Sequence, residues 1–361
     1  MKNSFGNGIS ITLFGESHGP EIGAVIDGLA PGIPIIEEKI SDALSLRKPY
    51  GKISTKRVEA DKFRIISGVF NGYTTGTPVT ILIPNENTKS GDYKQFTDTP
   101  RPSHADYTAE CKYHGFQDYR GGGHFSGRIT APLVAAGAII ATALSEKGIH
   151  IGTHIKLLQG IRDREICDQS DVMALKTKLF PVLDPDAADK MENAISAAGS
   201  RGDSLGGVLE TYVFGMPAGV GEPFFDSVES LISHGLFSIP GIKGVEFGLG
   251  FGFAEKCGSA ANDAFEVKDG KILTKTNNNG GINGGITNGM PIVFRCAVRP
   301  TPSIFMEQQT VSLSAMENRS LVINGRHDPA IIHRVRAVVD AITAITLADL
   351  LTVRFGTDYL R

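Results

Sequence analysis

The chain has 361 residues, 41% hydrophobic and 21% charged, with a formal net charge of -3. That length holds one large core or two closely packed subdomains, and the composition is that of a globular protein. The slight negative charge argues against nucleic-acid binding, which calls for a net basic surface, but leaves room for local basic sites that hold a small anion.

Strand-like alternation runs through residues 9–14, 23–29, 64–70 and 79–84, with an amphipathic helix expected over 34–48 and a second helix over 104–114. The glycine-rich stretch 120–128 feeds a helix that is apolar all round, with Pro132 in its first turn. Its apolar run, 131–144, is too short to span a bilayer and fits a buried helix, so no membrane partner is expected. A strand at 149–158 follows, then polar-faced helices over 171–180 and 186–199, a strand at 206–215 and a helix at 226–239. Further strands are expected at 244–255 and 290–301. Between them "KTNNNGGINGGITNG" is too rich in Asn and Gly for regular structure. The last helix is expected over 329–351, with Asp328 as its N-cap and Pro329 at the first helical position.

The strands fall in hairpin-like groups rather than in strict strand–helix alternation, which favours α+β over a doubly wound sheet. No linker divides the chain, so it reads as a single domain over 1–361. Both halves run strands, helix, strands, which allows a cryptic duplication, although no sequence self-similarity supports it. Cys111, Cys167, Cys257 and Cys296 show no CxxC pairing or zinc-like spacing and read as reduced, mostly buried thiols. "MKNSFGNGIS" has no apolar signal core, so the expected location is the cytoplasm.

In "RGGGHFSGR", glycines ahead of a helix start expose backbone N–H groups where the helix dipole favours an anion. The flanking Arg120 and Arg128 favour an anion site over a plain turn. The stretch is neither a Walker A motif nor a dinucleotide fingerprint. "RPSHADY" sets Arg101 three residues before His104. Taken alone, it reads as a helix cap with an exposed first-turn histidine. "GRHDPA" reads equally well as a capped helix with a solvated Arg326, and "RKPYGK", with Arg47 and Lys52, as a charged helix end. "RPTPS" suffices for a turn, and the GxGxG of "FGLGFG" alternates like a strand. His150 and His154 share a strand face without the partners of a metal pair, so no metal is expected. His114, His234 and His333 read as packing or surface histidines. Each motif is weak alone. Together, Gly-flanked histidines and arginines suit a polyanionic small substrate, the arginines as carboxylate and phosphate forks and the histidines as proton donors.

"GESHG" with its following "IG", "RPSHADY", "DYRGGGHFSGR", "GVEFG", "GGINGGI" and "GRHDP" stand in the order and at about the spacing of one family, and the chain resembles chorismate synthase along essentially its whole length. The resemblance implies helices sandwiched between antiparallel sheets and a homotetramer. It also implies loss of phosphate and a ring proton from 5-enolpyruvylshikimate 3-phosphate, giving chorismate, with reduced FMN required but not consumed. His18 matches the histidine that protonates the departing phosphate, His104 the one that stabilises the reduced flavin, and Asp328 the aspartate that works with the flavin in removing the ring proton. Ser17 and Ser126 match hydrogen-bonding relays. Arg47, Arg101, Arg128 and Arg326 align with substrate-binding arginines, and Arg47 and Lys52 also with positions tied to NADP, which makes NADPH a candidate reductant.

For FMN the matching positions are His124, Phe125 and Ser126, Pro240 and Gly241, Gly284, the run Arg299, Pro300, Thr301, Pro302 and Ser303, and Arg326. Three departures stand out: Lys52 where many members carry arginine, His124-Phe125 where many read Arg-Ser, and Pro240-Gly241 where many read Asn-Ala. Because reduced flavin reacts with oxygen, the resemblance implies a closing site, with 47–54 and the Asn/Gly-rich segment as moving parts. The alternative is an NADPH-dependent flavin reductase, or a flavin-binding module without elimination chemistry.

Overall fold

The computed structural model describes residues 2–54, 60–86, 91–323, 325 and 327–361. The first alternating segments close into an antiparallel sheet. Its strands lie in the order Ser4–Phe5, Ser10–Gly15, Glu21–Asp27, Val79–Pro84 and Arg64–Ser67. One face is aliphatic: Ile22, Ala24 and Ile26 on one strand and Val79, Ile81 and Ile83 on the next are fully buried. A second antiparallel sheet runs Ile242–Phe247, Ile292–Val298, Gly207–Phe214, His150–Leu158 and Ile161–Arg162.

The helices are α1 (Glu37–Ser45), α2 (Asp106–Tyr113), α3 (Thr130–Glu146), α4 (Gln169–Leu175), α5 (Pro185–Ser200), α6 (Val228–Phe237), α7 (Gly258–Ala261) and α8 (Ile332–Phe355). Helix α3 lies on the first sheet, α8 on the second, and the two pack against each other. Both are buried on nearly every side, α3 with an apolar sequence and α8 with His333, Arg336 and Asp349 among its buried residues. Gly137 sets their approach: a Cβ there would sit 2.4 Å from the Ala341 Cβ. The apolar stretch is longer than the sequence suggested. Gly127–Glu146 is long and apolar enough to cross a membrane, but 78% of its most apolar window is buried inside the fold, as in a core helix.

The expected α+β sandwich is present, and the two halves repeat one topology in their main elements. Leaving aside α2 and the short hairpin strands, the first half runs strand, strand, α1, strand, strand, α3, from Ser10 to Glu146. Leaving aside α4, α5, α7 and the short strands, the second runs strand, strand, α6, strand, strand, α8, from His150 to Phe355. In each sheet these four strands lie side by side in the order first, second, fourth, third. In each half the shorter helix packs against the long one.

Several expectations need correction. Helix α8 begins at Ile332 with Ile331 as an N-cap that makes no side-chain hydrogen bond. The Asp328 carboxylate is engaged instead by Arg334 of the first turn. The strand expected over 244–255 stops at Phe247, because Gly248 and Gly250 turn left-handed (φ 54° and 57°), and a 3-10 helix follows. The Asn/Gly-rich segment holds a short hairpin, Ile282–Asn283 with Ile286–Thr287. It is also tied down: the Asp263 carboxylate accepts from Asn278 N, Asn279 N and the side chains of Thr276 and Asn279. That bonding argues against its expected role as a moving part. Three of the four cysteines are exposed in the single chain, and only Cys296 is buried.

Candidate active site

Two kinds of connection in each half converge on one place. Arg47 and Pro49 follow α1, and Ile239, Pro240 and Gly241 follow α6. The segments leading into α3 and α8 supply the rest. Together they enclose a cavity of about 310 Å³ whose walls include His104, Phe125, Ser126 and Arg128, the run Arg299–Pro300–Thr301–Pro302–Ser303, and Asp328. Thr130 and Ile331 bring the starts of α3 and α8 to the same wall, so the positive ends of both helix dipoles face it. A more apolar cavity of about 550 Å³ shares His104, Phe125, Ser126, Pro240, Gly241 and Arg299 and adds His124. A third, about 440 Å³, shares Ser303 and Asp328 and adds Lys52 and His327.

The glycine loop is the hinge of the site. Gly121, Gly122 and Gly123 all take left-handed backbone (φ 61°, 83° and 54°), a conformation that only glycine adopts freely. A Cβ on Gly121 would sit 2.4 Å from His18 Cδ2 and 2.8 Å from Ser17 Oγ, and one on Gly122 would sit 3.5 Å from His104 Cε1. His18 and His104 therefore flank the same pair of glycines. The loop is clamped to "GESHG" by the Ser17 amide, which donates to the Gly123 carbonyl at 3.1 Å. His18 is buried with its ring edge-on to Tyr93 (5.2 Å). Buried beside it, the Ser17 hydroxyl has no hydrogen-bond partner among the described residues.

The arginines divide by what holds them. Arg47 donates through Nη1 to Asp61 Oδ2 and through Nη2 to the Gly127 carbonyl, each at 3.0 Å. Arg128 donates to Asn85 Oδ1 (3.0 Å), to the Pro84 carbonyl (3.1 Å) and to the other oxygen of Asp61. One fully buried carboxylate thus joins two cavity-lining guanidiniums. Arg334 grips Asp328 at 2.5 Å. Arg120 forks onto Asp118 through Nε and Nη2 (both 2.8 Å), fixing the loop rather than lining the cavity.

Arg101 is buried and does not line any of the three cavities. It forks onto Asp106 (2.8 and 2.7 Å) and lies over the Phe96 ring. His104 Nδ1 lies 2.7 Å from the same carboxylate. Burial opposes ionisation of Asp106, yet the hydrogen bonds from Arg101 and His104 outweigh it and hold the carboxyl well below the usual carboxylate range.

The remaining candidates are spread more widely. His124 Nδ1 meets the Gly15 carbonyl at 2.8 Å, which ties the loop to the first sheet. Ser126 caps the short turn ahead of α3 by accepting from the Arg128 amide. Thr301 Oγ1 is buried in the cavity wall without a hydrogen-bond partner among the described residues. Lys52 is exposed and lines only the third cavity. Burial and the nearby charge of Arg101 lower His327 below its ordinary value. Gly284 sits at the exposed tip of the 282–287 hairpin, outside the three cavities. Arg326 lies outside the described residues. Among those described, no cluster of His, Cys, Asp or Glu could hold a metal ion. Sequence reasoning passed over Asp61, Asp106 and Arg334. Of these only Asp106, two residues after His104, carried a local signal.

Comparison with known proteins fits this arrangement. A model of the chorismate synthase family matches residues 9–352. The chain belongs to the chorismate synthase family. It is 44% identical over 349 residues to the chorismate synthase of Pyrococcus abyssi, covering 97% of each chain. It is 47% identical over 347 residues to that of Chitinophaga pinensis, covering 96% of each. A crystal structure of a chorismate synthase superposes with a TM-score of 0.76 at 28% identity, over 98% of this chain and 94% of the other. As a chorismate synthase family member, the protein is a lyase of the shikimate pathway, acting on a small molecule, in a family that uses reduced flavin.

Proposed function

We propose that this chain converts 5-enolpyruvylshikimate 3-phosphate to chorismate and inorganic phosphate in the cavity between its two halves, with reduced FMN bound beside the substrate. The observation that carries the reading is the convergence of His18 and His104 on Gly121–Gly122, next to a cavity walled by arginines and two helix starts. The residues fit a flavin. Phe125, Ile239 and Pro240 offer apolar wall for a flat ring, Arg299 a cation, and Thr301 a buried hydroxyl that no described residue meets. When bound, the reduced flavin supplies electron density that helps the phosphate leave and is then regained, so there is no net redox change.

The chain's own groups handle charge and protons. Arg47 and Arg128, anchored by Asp61, present a fixed positive wall to the substrate's anionic groups, with the helix starts adding to it. The C–O bond to phosphate breaks with its electron pair on oxygen, and His18 supplies the proton that the departing phosphate takes up, with Ser17 as relay. The ring C–H pair becomes the new double bond, and its proton leaves on the side of Asp328, which Arg334 orients. Ser126 and His124 hold the glycine loop beside which His104 lies. Lys52 in the adjoining cavity, with Arg47, supports NADPH as a reductant.

Family membership supports a homotetramer in the cytoplasm, and phenylalanines such as Phe224 and Phe225, 86% and 91% exposed in the single chain, offer apolar surface for contacts between subunits. The test is anaerobic: purified protein, FMN, dithionite and 5-enolpyruvylshikimate 3-phosphate should release phosphate and chorismate in equal amounts. No release overturns the reading. NADPH as sole reductant gives release if the protein reduces its own flavin. NADPH oxidation without release favours the flavin reductase.

A further inference from the structure

His104 reaches the cavity wall with one ring nitrogen already committed. Nδ1 lies 2.7 Å from Asp106 Oδ1, and Arg101 Nη2 lies 3.0 Å from the same nitrogen. A guanidinium can only donate, and an ionised carboxylate can only accept. Nδ1 therefore either takes a hydrogen bond from Arg101 or gives one to Asp106; it cannot do both. Three observations decide between them. The Asp106 contact is the shorter. Arg101 Nη2 already has the Asp106 oxygen at 2.7 Å as an acceptor. And the Asp106 carboxylate is fixed from three sides, by Arg101 Nε (2.8 Å), Arg101 Nη2 and the Arg101 backbone amide (3.0 Å), which keeps an ionised acceptor facing the ring.

We infer that Asp106, clamped by Arg101, is the positioning residue of His104, fixing Nδ1 as its donor so that Nε2 is the nitrogen presented to the cavity. The near approach of Nε2 to the glycine loop agrees, since it would lie 3.6 Å from a Cβ on Gly122. With Nδ1–H committed, Nε2 can take up or release a proton against a bound anion while the ring stays in place. If the ring becomes the imidazolium, Asp106 is the counter-charge beside it. An aspartate two residues along a helix start and an arginine three residues back thus act through the histidine between them. This gives Arg101 a part in the site although its guanidinium is turned from the cavity.

The turnover arm of the test rests on the reading of the cavity as a lyase site; the tautomer arm does not. Wild-type protein labelled with ¹⁵N in histidine alone, with the His104 signals assigned by their loss in His104→Gln, should show Nδ1 protonated. Asp106→Asn, whose amide can donate to Nδ1, should invert the tautomer and lower turnover by ~10²-fold or more, with substrate KM changed far less. Asp106→Glu should restore the wild-type tautomer and part of the rate. An unprotonated Nδ1 in the wild type overturns the proposal whether or not any variant folds. So does a folded Asp106→Asn that loses turnover with its His104 signals unmoved, because the residue would then be merely structural. A wild-type protein without lyase activity would sink the proposed function and leave the tautomer result standing.

Discussion

Replacing Gly121 with alanine tests whether the glycine loop sets the position of His18. At φ 61° the backbone is left-handed, which costs an L-residue ~1–2 kcal/mol. The added methyl would stand 2.4 Å from His18 Cδ2, 2.5 Å from Nε2 and 2.8 Å from Ser17 Oγ. Contacts that short force the ring to move by about an ångström, since carbon atoms rest at ~3.5–4.0 Å. A shift of that size in a reacting group costs about 10²-fold in rate. Gly122→Ala is the matched control. Its φ of 83° carries a comparable backbone penalty, but its methyl would meet His104 Cε1 at 3.5 Å, an ordinary contact. Urea unfolding should show both variants destabilised by a similar ~1–2 kcal/mol. Anaerobic phosphate release should fall about 10²-fold for Gly121→Ala and only a few-fold for Gly122→Ala. Equal turnover in the two folded variants would refute the claim that the loop positions His18.

Thr301→Val removes a buried hydroxyl that has no partner among the described residues, so it should leave unliganded stability unchanged or slightly raised while weakening FMN binding about tenfold; fluorescence titration with FMN beside thermal melts checks both halves of this, and unchanged affinity removes Thr301 from the flavin site. Asp61→Asn takes the charge from between two buried guanidiniums, and a loss of ~3–5 kcal/mol with a raised substrate KM is expected; wild-type stability in urea would show that the pairings contribute little. Burial pushes His333 down from its ordinary 6.5 to about 4. Because the folded value is depressed, its contribution is fully present above pH 6.5 and lost as pH falls toward 4, ~3 kcal/mol at ~1.4 kcal/mol per pH unit. His333→Gln, which can still meet Ser54, should flatten that part of the stability–pH curve; an unchanged acid limb would assign it to other groups.

The two long helices were legible from sequence, α3 because it is apolar all round, a pattern that a helix buried between layers sustains, and α8 because a long apolar-rich run follows Asp-Pro. The sheets were legible from alternation, but their pairing was not, since strands such as Arg64–Ser67 and Val79–Pro84 are recognisable singly and order themselves only through tertiary contacts. Strand ends were blurred where glycines with positive φ sit inside an apolar rhythm, as at Gly248. The cap at Asp328 misled because Asp-Pro before an apolar run has the chemistry of a helix start, while here an arginine of the helix's first turn takes the carboxylate. Histidines and arginines between glycines announced the site. The carboxylates that organise them did not: Asp61 reaches Arg128 across 67 residues of chain, and no local pattern encodes that.

The repeated topology explains why the site needs the whole chain. In both halves the connection after the short helix and the connection before the long one emerge at the same end, and the cavity is where these four segments meet. The first half supplies His18, the glycine loop and His104. The second supplies the proline-stiffened wall 299–303 and the aspartate behind it. Neither set encloses a volume alone. Each long helix brings the positive end of its dipole to the shared cavity, so pairing the halves doubles an anion-attracting field before any side chain is chosen. The two halves share the order of strands within the sheet and the pairing of a shorter helix with a long one. The connections between those elements are each half's own: 159–206 carries α4 and α5, and 248–291 carries α7 and four short strands, where the first half has only residues 16–20 and 68–78. The repeated frame carries the core, and the unlike connections let each half bring different side chains to one cavity.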